Sequence, residues 1–144
     1  MHEDLNQSLQ SLAETLEGEL YFDQLYKALF ATDASVYRML PTAVAFPKTV
    51  DDIKLLILFA KKNKISIIPR TAGTSLAGQV VGKGIVVDVS RHFNEIISLD
   101  LEDQTVTVQP GVIRDDLNRY LEKHGLFFGP NTSTSNRCMI GGMV

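Results

Sequence analysis

The sequence predicts an α+β fold, with N-terminal helices, then a small parallel βαβ unit, and then an antiparallel hairpin followed by a helix. Two observations predict it. In the middle of the chain, an amphipathic run with helix-capping residues lies between two short apolar runs, and strands joined by such a helix pair in parallel. Two β-rich runs then follow, joined by a short polar stretch, which is the pattern of an antiparallel hairpin.

The N-terminal residues 1–36 are predicted to form a helical segment. Leucines recur at intervals of three and four residues from Leu5 to Leu20, which places them on one stripe of a helix interrupted near Gly18. The helical pattern continues through residues 20–30. We expect this stripe to pack against the rest of the chain, and a dimer or partner surface is the alternative.

The βαβ unit occupies the next part of the chain. Its first strand is "TAVAFP", which Pro47 closes, and its helix is predicted over residues 48–64. Thr49 is a suitable N-cap, acidic residues lie in the first turn and lysines in the last, and all of these complement the helix dipole. "ISIIP" is the second strand, so the loop that follows it leaves the carboxyl end of a parallel strand.

The remaining runs predict a further strand, a hairpin and a helix. "GIVVDVS" is a further strand, and "NEIISLD" and "TVTVQPG" form the hairpin. "VIRDDLNRYLEKHG" has helical periodicity, with Leu117 and Leu121 on its apolar face and Gly125 as a C-terminal stop. The chain ends on the glycines and apolar residues of "IGGMV", from which we expect a fragment of a longer protein.

Composition and charge exclude several functional classes. The 144 residues are 44% apolar and 22% charged, which is typical of a folded globular domain, and the net charge of −3 provides no basic surface for nucleic acid. No apolar run approaches the ~20 residues of a transmembrane helix, and the acidic N-terminus does not resemble a signal peptide, so we expect a cytoplasmic protein. Cys138 is the only cysteine, which excludes an internal disulfide and a multi-cysteine metal site, and no metal is predicted.

The loop after the second strand, "PRTAGTSLAGQ" at residues 69–79, carries the clearest functional pattern. Gly73 and Gly78 let the main chain approach a ligand and leave amide groups free, which suits an anion such as phosphate. Ligands of open α/β sheets bind at this end of the strands. A glycine-rich turn without a ligand is the alternative. Hydroxyl groups that add uncharged donors belong to Thr71, Thr74 and Ser75.

Two familiar phosphate motifs do not match this loop. A P-loop requires Lys and Ser or Thr after its second glycine, where Gln79 and Val80 stand here, and the dinucleotide fingerprint G-x-G-x-x-G is absent. Neither a nucleoside-triphosphate hydrolase nor a nicotinamide-binding Rossmann domain is therefore indicated. A second polar cluster, "PNTSTSN" before "IGG", could hold the same extended ligand at another point, although such clusters also form turns and helix caps.

Six segments occur in order along the chain: "YRMLPTAVAFPKTVDDI", "IIPRTAGTSLAGQ", "GIVVDVSR", "TVTVQPGV", "LNRYLEKHGLFF" and "TSNRCMIGGM". This ordered set resembles the signature of FAD-linked oxidases with the vanillyl-alcohol-oxidase, or PCMH-type, flavin domain. Within that family the chain is most similar to the group of glycolate oxidase flavoprotein subunits, D-lactate dehydrogenases and D-2-hydroxyglutarate dehydrogenases. The resemblance identifies residues 37–144 as an FAD-binding PCMH-type domain that is incomplete at its C-terminus.

The resemblance implies a small parallel βαβ subdomain, preceded by the N-terminal helices, and the start of an antiparallel α+β subdomain, with FAD extended between the two. In the family the glycine-rich loop wraps the FAD pyrophosphate with backbone amides, and a second loop with a double glycine passes close to the flavin. Carried over to this sequence, the FAD-binding residues of the first loop are Pro69, Arg70, Thr71, Ala72, Gly73, Thr74, Ser75 and Gly78. Those of the second loop are Pro130, Ser133, Thr134, Gly141 and Gly142.

The sequence departs from the family pattern at three places. Some relatives attach FAD covalently to a histidine where this sequence has Thr74, so we expect noncovalent, dissociable FAD. Asn131 and Thr132 stand where Asp-Pro is commoner, and Met143 replaces the asparagine that often follows the double glycine. These changes concern individual contacts near the flavin ring rather than the family.

The activity that the resemblance implies is oxidation of a 2-hydroxy acid to the 2-oxo acid by hydride transfer to the flavin. The catalytic residues stay unknown, because in the family they lie in a later substrate domain, and this fragment alone is expected to be inactive. Electrons would pass to a quinone or to an iron–sulfur partner or fused domain, and peripheral association with the inner membrane is compatible with that chemistry. The alternatives are a non-catalytic FAD- or nucleotide-binding module and a peptidoglycan-precursor reductase of the same fold, which the two loops fit less well.

Overall fold

The computed structural model describes residues 2–144, and Met1, the first residue of the predicted N-terminal segment, lies outside them. The helices of the described chain are α1 (His2–Ala13), α2 (Gln24–Leu29), α3 (Val50–Asn63) and α4 (Arg114–Glu122). Its strands are β1 (Glu19–Tyr21), β2 (Ala43–Phe46), β3 (Ile67–Arg70), β4 (Ile85–Asp88), β5 (Ile96–Asp100) and β6 (Thr105–Val108). A 3-10 helix, Ile140–Gly142, follows near the C-terminus.

The first sheet forms the centre of the N-terminal half, with strand order β1-β2-β4-β3. The strands of the predicted βαβ unit, β2 and β3, are parallel as predicted, and β4 lies between them and pairs with both in parallel. Strands β2 and β4 are buried along their whole length, as expected of parallel strands that are covered on both faces. Helices α1 and α3 pack on one face through Leu9, Leu56 and Ala60, and Tyr26 and Phe30 cover the other face.

Helix α3 begins where its capping residues predict. The Thr49 hydroxyl accepts a hydrogen bond from the Asp52 amide at 3.1 Å, and the Asp52 carboxylate accepts one from the Thr49 amide at 3.2 Å, which completes a capping box. Burial raises the pKa of the Asp52 carboxyl, but its four backbone donors outweigh burial, so the pKa lies below its ordinary value. The other three donors to this carboxylate are the amides of Glu17, Gly18 and Lys48.

One stretch predicted as helix is a strand. The periodicity predicts helix through residues 20–30, but Glu19–Tyr21 forms β1, which pairs antiparallel with β2. The helical prediction is wrong there because tertiary contacts override the leucine spacing. The Asp52 carboxylate holds the amides that precede β1, and Gly18 lies so close to the Phe46 carbonyl oxygen that a Cβ would be 2.3 Å from it.

The leucine stripe of the N-terminal segment is a packing surface, as predicted. Leu9, Leu12 and Leu20 are buried in the cluster beneath the first sheet, and Leu5 and Leu16 pack against that cluster. Helix α1 and strand β1 therefore both direct leucines into the same core on one side of the sheet.

The C-terminal half has its own small core. Strands β5 and β6 form the predicted antiparallel hairpin, and α4 packs on it through Leu117 and Leu121. Gly125 follows α4 with φ +70°, the left-handed conformation expected of a glycine that ends a helix. No helix within residues 2–144 has the length and apolar character needed to cross a membrane.

Candidate cofactor site

The two loops identified in the sequence meet at the carboxyl end of the parallel sheet. We call residues 71–79 the glycine loop and residues 130–143 the second loop. A Cβ placed at Gly142 would be 3.0 Å from the Thr71 hydroxyl, so the end of the second loop touches the start of the glycine loop. Pro69 is exposed on the edge strand β3, where a missing amide donor is tolerated. Open α/β sheets bind ligands at this end of their strands.

The glycine loop presents backbone donors that have no partner in the described chain. The amides of residues 72–75 donate to no acceptor within residues 2–144, although these residues are half-buried. Gly73 has φ +66° and Gly78 has φ +74°, in the left-handed region that favours glycine. Consecutive free amides of this kind form a concave binding site for an anion.

The side chains of the glycine loop also fit a diphosphate such as that of FAD. The loop contains no acidic residue that would repel an anion. The Ser75 hydroxyl is already engaged, since it contacts Gln79 Oε1 and accepts a hydrogen bond from the Ala77 amide at 3.2 Å. The backbone amides are therefore the principal anion-binding groups that the loop offers, with hydroxyls from Thr71 and Thr74 beside them.

The Arg70 guanidinium contacts the N-terminal segment at the base of the glycine loop. Its Nη1 donates to the Thr32 carbonyl at 2.9 Å, and its Cζ lies 5.0 Å from the centre of the Phe30 ring, a cation–π arrangement. Burial lowers the pKa of Arg70, and the charges of Asp88 and Asp33 oppose that shift. Because arginine remains protonated in proteins, a fixed positive charge lies next to the free amides.

A buried acid, Asp88, closes the end of β4 beside this arginine. The strand register pairs it with Arg70, and its Oδ1 accepts hydrogen bonds from the Ser90 amide at 2.9 Å and the Ser90 hydroxyl at 2.6 Å. Sequence reasoning missed Asp88, although an acid directly after the apolar run "GIVV" was a signal. It also missed the contact between Arg70 and Thr32. The sequence signal there was the turn-forming "TDAS", which begins at Thr32.

The second loop is anchored on the N-terminus of α4. The Arg114 amide donates to the Cys138 carbonyl at 3.0 Å, and the Arg114 Nε donates to the Pro130 carbonyl at 3.1 Å. The Ser135 hydroxyl donates to Asp115 Oδ2 at 3.1 Å. These contacts fix the second loop to the C-terminal half, so its approach to Thr71 joins the two halves at the site.

The predicted residues of the second loop fall into two groups. Gly142 reaches Thr71, and the neighbouring Gly141 donates its amide to the Pro110 carbonyl at 2.9 Å. A Cβ at Gly141 would be 2.5 Å from the Pro110 side chain, so this position requires a glycine. Within residues 2–144, no hydrogen bond to the glycine loop is made by the remaining predicted residues, Pro130, Ser133 and Thr134.

A cleft of about 250 Å³ lies between the turn after β4 and the C-terminal half. Its walls include Ser90 and Asn94 on one side and Val112, Ile113 and Met139 on the other. None of the residues predicted to bind FAD lines this cleft. Among the side chains that the structure describes, those of residues 5–144, no three from His, Cys, Asp or Glu are grouped so that they could hold a metal ion.

The chain is similar in sequence to known flavin-binding proteins. A family model described as an FAD-binding domain matches residues 41–144. The chain is 44% identical over 131 residues to D-2-hydroxyglutarate dehydrogenase of Haemophilus influenzae, and 35% identical over 120 residues to glycolate oxidase subunit GlcD of Bacillus subtilis. These alignments cover 89% and 82% of this chain, but the chain spans only 13% and 26% of those two proteins. The resemblance to the 2-hydroxy-acid group of FAD-linked oxidases is confirmed.

The fold is also similar to that of a solved oxidoreductase. The chain matches the crystal structure of p-cresol methylhydroxylase with a TM-score of 0.73 and 18% identity, over 88% of this chain and 26% of that one. At this identity the likeness concerns the fold alone. The predicted α+β fold of the PCMH type is confirmed.

Proposed function

The chain belongs to the family of FAD-binding domains, and we propose that it is the FAD-binding part of an oxidoreductase that converts a 2-hydroxy acid to the 2-oxo acid. The observation that carries this proposal is the free-amide loop at the carboxyl end of a parallel sheet, in a chain whose relatives are named for 2-hydroxy acids. Since the chain spans only 13% of the first of these relatives, the activity is proposed for a longer protein that contains it.

The glycine loop would hold the diphosphate of FAD through the backbone amides of residues 72–75, which have no other partner within residues 2–144. Gly142 would approach the same ligand from the second loop, because it already lies against Thr71. The whole set proposed for FAD remains that of the sequence prediction, with Pro69, Arg70, Thr71, Ala72, Gly73, Thr74, Ser75, Gly78, Pro130, Ser133, Thr134, Gly141 and Gly142.

FAD supplies the hydride acceptor for this oxidation, and the protein supplies binding and orientation. Thr74 offers a hydroxyl and no imidazole where some family members carry the histidine that links FAD covalently, so the chain would bind FAD reversibly. The catalytic base is proposed to lie outside these 144 residues, in the part of the longer protein that binds the substrate.

Among the 2-hydroxy acids we propose D-2-hydroxyglutarate as the first candidate substrate. The relative named for it is 44% identical to this chain, against 35% for the glycolate oxidase subunit. D-lactate and glycolate are the other candidates. The proposal includes a cytoplasmic location and an iron–sulfur partner or fused iron–sulfur domain as the electron acceptor.

The test begins with the visible spectrum of the purified chain. Absorption bands at about 370 and 450 nm, followed by release of free FAD on heating, are expected of a reversibly bound flavin. Flavin that stays with the denatured protein would contradict reversible binding. A colourless chain would mean that FAD binding needs the rest of the longer protein, and a longer protein that also stays colourless after incubation with FAD and removal of the unbound flavin would contradict the cofactor assignment.

The second step of the same test uses the longer protein that contains this chain. D-2-hydroxyglutarate, D-lactate and glycolate are each supplied with an artificial electron acceptor, and L-2-hydroxyglutarate is the matched control. Oxidation of a D-hydroxy acid or glycolate supports the proposal. A flavin-loaded protein that oxidises none of them, or that instead oxidises a nicotinamide donor in the presence of an enolpyruvyl ether, would replace it with one of the alternatives.

A further inference from the structure

A turn that precedes the family match lies along the glycine loop. We call residues 30–38 the supporting turn. The Ala34 amide donates to the Gly73 carbonyl at 3.1 Å. At the other end of the loop, the Tyr37 ring lies against Gly78, where a Cβ would be 2.6 Å from the Tyr37 Cδ2 atom. The supporting turn therefore contacts both glycines of the loop that have a positive φ.

The supporting turn is fixed by its own hydrogen bonds. The Asp33 carboxylate accepts a hydrogen bond from the Ser35 amide at 2.8 Å, and the Ser35 hydroxyl accepts one from the Tyr37 amide at 3.1 Å. Thr32 and Arg38 form an antiparallel bridge across the turn. Because the turn has its own internal bonds, it can support a loop whose glycines leave the backbone free to move.

Arg70 connects the supporting turn to the glycine loop. Its guanidinium lies over the Phe30 ring and donates to the Thr32 carbonyl. The same guanidinium lies against Gly73, where a Cβ would be 2.5 Å from Arg70 Nη2. The charge of Asp33, whose second carboxylate oxygen is buried without a hydrogen bond within the described residues, opposes the lowering of the Arg70 pKa by burial.

We propose that Arg70 is a positioning residue, which holds the glycine loop against the supporting turn so that the amides of residues 72–75 are arranged for a diphosphate before the ligand arrives. The proposal rests on the proposed function, in which that ligand is FAD. One guanidinium N–H donates to the Thr32 carbonyl and the group lies over the Phe30 ring, and through these two contacts Arg70 ties the start of the glycine loop to the supporting turn. Without it, ligand binding has to order the glycine loop, and affinity falls because that ordering costs free energy.

The first measurement is the Kd for FAD, followed by flavin fluorescence, for the chain and three variants. Arg70→Met should raise the Kd at least about tenfold, and Phe30→Leu should raise it severalfold, because each removes one half of the same contact. Arg91→Met is the control, since Arg91 lies 3.7 Å from the centre of the neighbouring Phe46 ring, and its replacement removes a similar cation–π contact while leaving the contacts of Arg70 with Phe30, Thr32 and Gly73 in place. Its Kd should stay within about twofold of the parent value.

Salt dependence separates positioning from direct ion pairing. If Arg70 acts through loop geometry, the ratio of Kd values between Arg70→Met and the parent chain stays the same at low and high salt, because added ions do not screen a packing contact. A ratio that collapses at high salt, together with full rescue by Arg70→Lys, would overturn the proposal in favour of a direct charge on the diphosphate. A Kd for Arg70→Met equal to that of the parent would overturn it as well.

The second measurement needs no ligand. Backbone ¹⁵N order parameters of residues 72–78 should fall in Arg70→Met and stay unchanged in Arg91→Met, because the loop loses its support only in the first variant. Unchanged order in Arg70→Met would overturn the proposal whether or not FAD binds. Failure of the longer protein that contains this chain to bind FAD would instead contradict the proposed function, so the two failures are distinguishable.

Discussion

At the residue scale, both the backbone conformation and the close packing at position 73 exclude any residue but glycine. Its φ of +66° lies in the left-handed region, and the space that a side chain would need is filled by the Arg70 guanidinium. Its carbonyl accepts a hydrogen bond from Ala34, while its amide remains free for a ligand. A glycine is therefore required both for conformation and for close packing.

Gly73→Ala should destabilise the chain and weaken FAD binding. A left-handed conformation costs a non-glycine residue about 1–2 kcal/mol, and the new methyl group must also displace Arg70. We expect a loss in the free energy of unfolding somewhat above that range and a rise of at least about tenfold in the Kd for FAD. Urea denaturation and flavin fluorescence measure the two effects.

Gly125→Ala is the control for this prediction. Gly125 has nearly the same φ, +70°, but a Cβ there would meet no atom within 4 Å. The variant should therefore show only the conformational cost of about 1–2 kcal/mol and leave FAD affinity unchanged. Equal effects of the two substitutions on FAD affinity would show that the contact between Gly73 and Arg70 has no role in the site.

At the element scale, helix α3 sets the geometry of the first sheet through its N-terminus. The Asp52 carboxylate, with 2% of its residue surface exposed, accepts hydrogen bonds from two amides at its own helix start and two in the turn before β1. The same group thus caps α3 and fixes where β1 begins. This explains how a stretch with helical leucine spacing is held as the antiparallel edge strand of the sheet.

Asp52→Asn should lower the free energy of unfolding by about 2–4 kcal/mol near neutral pH. An asparagine has one acceptor oxygen for amides that the carboxylate satisfies with two, and it brings a donor group toward other donors. Urea denaturation measures the loss. Asp51→Asn is the control, because Asp51 is exposed and pairs only with Lys54, so its replacement should cost less than about 1 kcal/mol.

The pH dependence of the unfolding free energy, compared between the parent chain and Asp52→Asn, tests whether the charge of Asp52 causes this stabilisation. The pKa of Asp52 in the folded chain lies below its ordinary value of 3.8, so its stabilisation is fully present above that value and is lost as the pH falls through the folded pKa. The difference in unfolding free energy between the parent and Asp52→Asn should be constant from about pH 7 to 5 and shrink below about pH 4. A difference that does not change with pH would contradict a charged Asp52 as its source.

At the scale of the whole molecule, the two halves of the chain meet at the candidate site. Each half has its own hydrophobic core, and the contact of Gly142 with Thr71 brings their loops together. The backbone amides of residues 72–75, which have no acceptor within the described residues, lie at this junction. A ligand bound there would touch both halves and should stabilise them together.

FAD should therefore raise the unfolding temperature of the entire chain. At a free concentration of about 100 times its Kd, a ligand that binds only the folded state adds about 2.7 kcal/mol, which is roughly 8–10 °C for a chain of this size. Riboflavin is the control, because it lacks the diphosphate that the glycine loop is proposed to bind. Equal shifts with FAD and riboflavin at the same concentration would contradict a diphosphate site, and removal of FAD by dialysis should reverse the shift.

Much of the local structure follows from the sequence alone. Residues close together in the chain determine the caps of α3, the hairpin of β5 and β6, and the left-handed Gly125 that follows α4. The glycine loop was found for the same reason, since its glycines and hydroxyl residues lie within eleven consecutive positions, about the reach of one loop. The ordered set of motifs was specific enough to identify the family, which the family match to residues 41–144 confirms.

How these pieces combine depends on tertiary contacts. In the folded chain β4 lies between β2 and β3, Glu19–Tyr21 is a strand, and Gly142 lies against Thr71. The hydrogen bond from the Glu17 amide to Asp52 spans 35 positions, and that from Arg70 to Thr32 spans 38. Periodicity and capping report interactions within a few residues of each other, and they carry no information about which distant groups will meet. The sequence pattern indicates a turn at "TDAS" but not its role, because that role depends on contacts that form only when the sheet brings residues 30–38 beside the glycine loop.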